Sequence, residues 1–116
     1  MIKIFDKIIS LDQDIGNRRC VLTKDEYQWI LITAPPDADD EYVFKNGKRY
    51  FYRKFEEFLE RFLQKRFRAL LTNWDEKRVT KALDMALKET REIGQLLDKK
   101  TDGLLKKDLP KSFYLL

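Results

Sequence analysis

The sequence predicts an α+β fold: a small antiparallel sheet of about four strands followed by two long antiparallel helices. Apolar residues alternate at period two through the first half of the chain and recur at the helical period of 3.6 through the second. Turn-forming residues punctuate the first half at short intervals, as hairpin-connected strands require.

Met1 to Ile9 reads as the first strand. Asp12 to Asn17, with Gly16-Asn17, supplies a turn before a run from Arg18 to Leu22. Lys24-Asp25-Glu26 then leads into Tyr27 to Thr33, whose β-branched and aromatic residues suit a pleated, half-buried surface. These two runs are expected to pair. Pro35-Pro36 ends the strand because proline lacks the ladder donor, and the polar stretch through Glu41 is expected to be a loop. Asn46-Gly47 falls between Tyr42-Val43-Phe44-Lys45 and Lys48-Arg49-Tyr50-Phe51-Tyr52, which predicts a second hairpin because both turn residues tolerate positive φ.

The first long helix is expected from about Lys54 to Leu71. Phe55, Leu59, Leu63 and Phe67 make one i+4 ridge and Phe58, Phe62 and Leu70 the next, an apolar arc wide enough for a sheet and a second helix. Glu56, Glu57 and Glu60 near its start and Lys65, Arg66 and Arg68 near its end complement the helix dipole. Arg66 lies inside the apolar arc, where a charge needs an acid partner or a path to water, so a structural ion pair is expected. Thr72 or Asn73 is placed to cap a second helix from about Asp75 to Lys99, in which Ala82, Ala86, Thr90 and Gly94 form a shallow groove for the phenylalanine ridge. One domain, residues 1–103, is expected, with a tail at 104–116 that ends Phe113-Tyr114-Leu115-Leu116 and either docks on its own domain or hooks a partner.

Composition narrows the chemistry. The 116 residues include no histidine, which excludes Ser-His and Cys-His nucleophile systems and histidine zinc sites. The single cysteine, Cys20, forms no internal disulfide and fits a reducing compartment as a small core residue placed opposite Trp29. No Gly-rich phosphate loop is present, Asp37 to Glu41 lacks the spacing of a calcium loop, and Asp75-Glu76-Lys77 opens a helix instead of extending a nuclease strand. No catalytic residue, metal or cofactor is therefore expected. Lys3, Asp6 and Lys7 break the apolar N-terminus, so neither a signal peptide nor a membrane span is expected, and the protein is placed in the cytoplasm. The net charge of +4 arises centrally, residues 46 to 78 carrying ten basic against five acidic side chains.

In the expected hairpin, Val43, Lys45, Lys48, Tyr50 and Tyr52 share one face. Lysines among tyrosine rings read either as a nucleic-acid surface or as a solvated sheet edge. Exposed aromatics and arginines are also the types that dominate protein interfaces. The candidate contact residues are accordingly Lys45, Lys48, Arg49, Tyr50, Tyr52, Arg53, Phe113 and Tyr114.

The run Ile15-Gly16-Asn17 through Thr23-Lys24-Asp25-Glu26-Tyr27-Gln28-Trp29-Ile30-Leu31, then Tyr50-Phe51-Tyr52, then Phe55-Glu56-Glu57-Phe58-Leu59 and a second helix resembles small proteins of unknown function encoded by phages and mobile elements. It spans roughly residues 15 to 98; the N-terminal extension, Pro35-Pro36 and the tail depart from it, and no functional residue carries across. The resemblance implies an accessory protein acting in the host cell. The expected function is a non-enzymatic binding module that occupies a host protein or nucleoprotein surface, including counter-defence inhibition of CRISPR or restriction systems. The alternative is a nucleic-acid-binding accessory protein using the basic aromatic hairpin, and a homodimer is a further option.

Overall fold

Strands β1 (Ile2–Ser10), β2 (Asn17–Lys24), β3 (Trp29–Ala34) and β4 (Lys48–Tyr52) form one antiparallel sheet in sequence order. The structure, a computed structural model, describes residues 2–101. Helix α1 (Asp40–Asn46) interrupts the run of strands, and α2 (Phe55–Leu70) and α3 (Glu76–Thr101) follow it. The expected α+β order is present: four strands, then two long antiparallel helices. The short helix α1 is an addition.

Alternation sorts the strand residues onto two faces. Phe5, Cys20, Leu22, Trp29 and Leu31 face α2 and α3 and build the main core with Phe55, Phe58, Leu59, Phe62, Ile93 and Leu97. A register shift between Lys3 and Phe5 lets the consecutive residues Ile4 and Phe5 both enter that core, which strict alternation would forbid. Phe58 sits at its centre, fully buried, with ring centroids 6.2 Å from Phe5, 5.6 Å from Tyr52, 5.9 Å from Phe55 and 5.8 Å from Phe62. These separations lie in the favourable range for tilted and edge-on aromatic pairs. Cys20 is a core residue as expected, although its cross-strand partner is Thr33 and not Trp29.

Asp75, not Thr72 or Asn73, caps α3: its Oδ1 accepts the backbone N–H of Arg78 at 2.9 Å. Ala82, Ala86 and Thr90 are buried as the small-residue groove requires, but a Cβ on Gly94 would meet open space, so the groove ends at Thr90. Arg66 forms the structural pair expected of it. Its Nε and Nη2 donate to Glu89 of α3 at 2.5 and 3.1 Å, and its Nη1 to the Ser10 carbonyl at 2.8 Å, tying α2, α3 and β1 together.

The expected Asn46-Gly47 hairpin is absent. Tyr42, Val43, Phe44 and Lys45 lie in α1, and β4 pairs with β3, Tyr50 opposite Leu31. The loop expected through Glu41 ends at Asp39, and Asp40 and Glu41 belong to α1. Asp39 caps α1 by accepting from the Tyr42 N–H at 2.8 Å, Asp40 and Glu41 fill its first turn, and Lys45 reaches back to Glu41 at 2.8 Å. Gly47 has φ −61°, open to any residue. Glycine is needed there because a Cβ would collide with the Ile32 side chain and the Val43 carbonyl. The close approach of α1 to β3, not a left-handed turn, selects it.

Helix α1 covers the second face of the sheet, where Val43 packs on Val21, Ile30, Ile32 and Ala34. Arg19 clamps the segment down: it donates to both Asp6 carboxylate oxygens at 3.0 and 2.5 Å, to Asp40 at 2.5 Å and to the Ala38 carbonyl at 2.9 Å. The guanidinium holds the Asp6 carboxyl down at about 2, against an ordinary value of about 3.9 in an unfolded chain. Because the folded value is the lower one, the clamp's contribution is complete above about pH 5 and is lost as pH falls through the window toward 2. Asp6→Asn is expected to flatten the acid limb of a stability–pH curve in that window, measured by urea unfolding. Phe58→Ala is expected to cost about 3–5 kcal/mol and Ala86→Leu about 1–3 kcal/mol through overpacking, both read from the same unfolding curves.

Candidate functional site

Strand β4 is an edge of the sheet and is followed directly by α2. Lys48, Tyr50 and Tyr52 pair with Thr33, Leu31 and Trp29 and therefore share the face that meets α2. The parity expected for these three holds, but the tyrosines are half-buried against the core, the Tyr52 ring edge-on to Phe58. Burial raises the Tyr52 phenol above its ordinary value. Arg49 and Phe51 point to the opposite face, and Arg49 donates to the Phe44 carbonyl at 2.6 Å. Lys45 belongs to α1 on that same side, so the structure does not bring it to Lys48, Tyr50 and Tyr52. Arg53 is exposed just after β4. Phe113 and Tyr114 lie outside the described residues.

Beside Tyr50 opens a cleft of about 430 Å³. Cys20, Leu31, Thr33 and Tyr50 form its floor, Lys65, Arg68 and Ala69 of α2 one wall, and Arg18 with the β1–β2 loop the other. The loop is shaped by its own chemistry: Asp12 Oδ1 accepts from the Asp14 N–H at 2.8 Å, and Gly16 takes a positive φ of 79°. It is then fixed to the helix. Gln13 Nε2 donates to the carbonyls of Arg68 at 3.0 Å, Ala69 at 3.4 Å and Leu71, which occupies the carbonyls that a helix C-terminus leaves without intrahelical partners.

The electrostatics of the cleft are uneven. The Lys65 ammonium lies 4.7 Å from the Tyr50 ring centroid and the Lys48 ammonium 5.2 Å from it, both within cation–π range. Arg18, Lys48, Lys65 and Arg68 make no ion pair among the described residues, whereas the neighbouring Arg19 and Arg66 are fully engaged. The two carboxylates on the wall are Asp12 and Asp14. Comparison with protein-family models, curated proteins and solved structures found no match. Among the described residues no cluster of three or more metal-ligating side chains occurs, and no helix is long and apolar enough to cross a membrane.

Of the sequence-derived candidates Tyr50 lines the cleft and Lys48 adjoins it, whereas Arg18, Lys65 and Arg68, which line it, are not among them. The signal for Lys65 and Arg68 is their i, i+3 spacing, which places them along one side of α2; the helix dipole accounts for the same two cations without a cleft. Nothing local marks Arg18 as their neighbour. Cys20, on the cleft floor, donates its thiol to the Arg18 carbonyl at 3.6 Å, and burial pushes its pKa up to about 11. At neutral pH it stays a thiol and not a nucleophile. A thiol reagent such as DTNB is expected to leave Cys20 unmodified in the folded protein and to label it at one equivalent in denaturant, followed by absorbance.

Proposed function

We propose that this chain is a non-enzymatic binding module acting one molecule per target, and that its contact surface is the cleft between β4, the β1–β2 loop and α2. One observation carries the reading: three cations, Arg18, Lys65 and Arg68, line a concave surface without ion-pair partners among the described residues, and a fourth, Lys48, adjoins it over the Tyr50 ring. Unpaired charge of one sign in a concavity focuses the field and concentrates a partner of the other sign. Of the sequence-derived candidates the proposed surface includes Tyr50, with Lys48 adjoining it, and does not include Lys45 or Arg49. The inert Cys20 on the floor supports binding over covalent chemistry. The setting proposed for the module is that of a phage or mobile-element accessory protein in the host cell, blocking a host protein or nucleoprotein, with defence systems among the targets; the resemblance set out above supports it.

The test is affinity capture from host lysate with the wild-type chain and with Lys65→Glu, Arg68→Glu as bait, each with and without nuclease. The expected outcome is a partner retained by the wild type and lost by the variant, at a ratio that saturates near one to one. Inhibition at far below one molecule per target, with a chemically altered product, refutes the reading in favour of an enzyme.

A further inference from the structure

Strand β4 has one neighbour in the sheet, β3, so its outer edge carries backbone N–H and C=O groups with no strand to pair them among the described residues. The other edge strand, β1, is guarded by an irregular register between Lys3 and Phe5 and by the charged pair Lys3 and Asp6. Strand β4 has no such break: its register with β3 runs regularly from Lys48 to Tyr52, and Phe51 is 57% exposed. Helix α2 carries a charge pattern along this edge. Glu57, Glu60, Arg61 and Gln64 lie beside Phe51 and Tyr52, and Lys65 and Arg68 lie beside Tyr50. Glu57, Glu60, Lys65 and Arg68 make no ion pair among the described residues. The order of charges reverses about the middle of the stretch. Glu57 and Arg68 are equidistant from that point with opposite signs, as are Glu60 and Lys65, and Arg61 is matched by the neutral acceptor Gln64. Arg61 acts on the Tyr52 phenol and the Lys65 ammonium lies 4.7 Å from the Tyr50 ring centroid, so the midpoint of the pattern falls level with Phe51.

We propose that a second copy of this chain pairs antiparallel with β4 about a two-fold axis at Phe51, continuing the sheet from one protomer into the other. The proposal goes beyond the binding-module reading and does not rest on it. A two-fold contact is self-complementary: where one residue meets a second, the second meets the first. With the axis at Phe51, that ring faces its own copy and Tyr50 faces the partner's Tyr52, aromatic cross-strand pairs that favour association. The same axis sets α2 antiparallel to its copy. Glu57 then opposes the partner's Arg68, Glu60 the partner's Lys65, and Arg61 the partner's Gln64, each pair occurring twice. Strand and helix thus select one axis from unrelated features. An axis at Tyr50 sets Lys65 against its own copy, and an axis at Tyr52 does the same to Arg61. The ladder stops at Tyr50 and Tyr52, because beyond them Arg49 faces the partner's Arg53, a like-charge pair. An unrelated extended peptide can also add to a sheet edge, but nothing obliges it to carry the reversed charge order, which a second copy carries by symmetry. Lys65 and Arg68 also line the cleft, so the second copy and an anionic occupant of the cleft compete for them, while Arg18 stays with the cleft.

The test is sedimentation equilibrium of the full chain, from micromolar to millimolar concentration, at low and high salt. The expected result is a monomer–dimer equilibrium that salt weakens, because the helix pairs lie at the surface and are screened. Glu57→Lys with Glu60→Lys makes this side of α2 basic throughout, and Lys65→Glu with Arg68→Glu makes it acidic but for Arg61. Each double variant is expected to sediment as a monomer with the unfolding midpoint of dilute wild type, since none of the four residues makes an ion pair among the described residues. Mixed in equal amounts, the two are expected to form a dimer of one copy each, because every opposed pair again has opposite signs. Phe51→Asp is expected to weaken association about tenfold by setting two carboxylates face to face on the axis. A wild type that stays monomeric at millimolar concentration in low salt overturns the proposal. So does a dimer that persists in both double variants, a folded pair of variants that does not combine, or full association of Phe51→Asp. The binding-module reading stands or falls separately, on partner capture by the Glu57→Lys, Glu60→Lys variant, which keeps Arg18, Lys65 and Arg68.

Discussion

The position of α2 over the sheet rests on Phe58. Its ring touches Phe5 on β1 and Tyr52 on β4, the two edge strands, so a single side chain spans the width of the sheet and sets where the helix lies. Phe55 and Phe62, one turn to either side, extend the contact, with Phe55 against Trp29 at 4.6 Å and Phe62 against Phe5 at 6.3 Å. Each such ring contributes roughly 1.5–3 kcal/mol by leaving water. Beyond Phe62 the helix turns from rings to charges. Lys65 and Arg68 are carried over Tyr50 and Leu31 because the aromatic half of the same helix is fixed, and the cleft forms where the rings end.

Adjacent arginines on β2 show how the pleat divides structural from available charge. Arg18 and Arg19 are consecutive, so their side chains leave opposite faces of the sheet. Arg19 meets Asp6, Asp40 and the Ala38 carbonyl, and its donors are used in holding the 35–47 segment against the sheet. Arg18 faces the helix side and enters the cleft wall with no acid opposite it among the described residues. Arg66 repeats the first pattern on α2, its fork divided between Glu89 and the Ser10 carbonyl. In both engaged cases the partner comes from a different element, and the pair fixes a junction that apolar packing alone leaves free to slide.

What was legible in the sequence follows from periodicity. The alternation of β2 and β3 and the i+4 ridges of α2 located the sheet and long helices, and the place of Arg66 within an apolar arc announced its ion pair. Asn46-Gly47 misled because a sequence shows that glycine is required without showing why. A left-handed turn and a contact too tight for a Cβ ask for the same residue, and only the second operates at Gly47. The competing helix signals were present: Asp39 as a cap, Asp40 and Glu41 in the first turn, and Glu41 spaced four residues from Lys45. They mark a helix of only seven residues, shorter than hydrophobic periodicity resolves. The cleft was hidden for another reason. Arg18 and Lys65 come from distant parts of the chain and meet only after the sheet and α2 have packed.

Whether the cleft's charge needs a ligand at all turns on what else accounts for it. The C-terminal end of a helix favours cations, and for Lys65 and Arg68 that effect alone is a sufficient cause. It does not extend to Arg18 and Lys48. Both sit on strands, outside the last turn of α2 within which the dipole acts. Nor does edge protection account for the pair, since Lys48 lies on the edge strand β4 but Arg18 is on β2, an interior strand whose backbone is already paired on both sides. Of the three cations that line the cleft, Lys65 and Arg68 therefore have a local explanation in the helix dipole and Arg18 has none, so Arg18 weighs most in the reading proposed for this surface. The two walls of the cleft are also joined to each other. Gln13 fastens the loop to the end of α2, so under the proposed reading a partner would meet a loop already held in place, and less ordering entropy would be lost on binding.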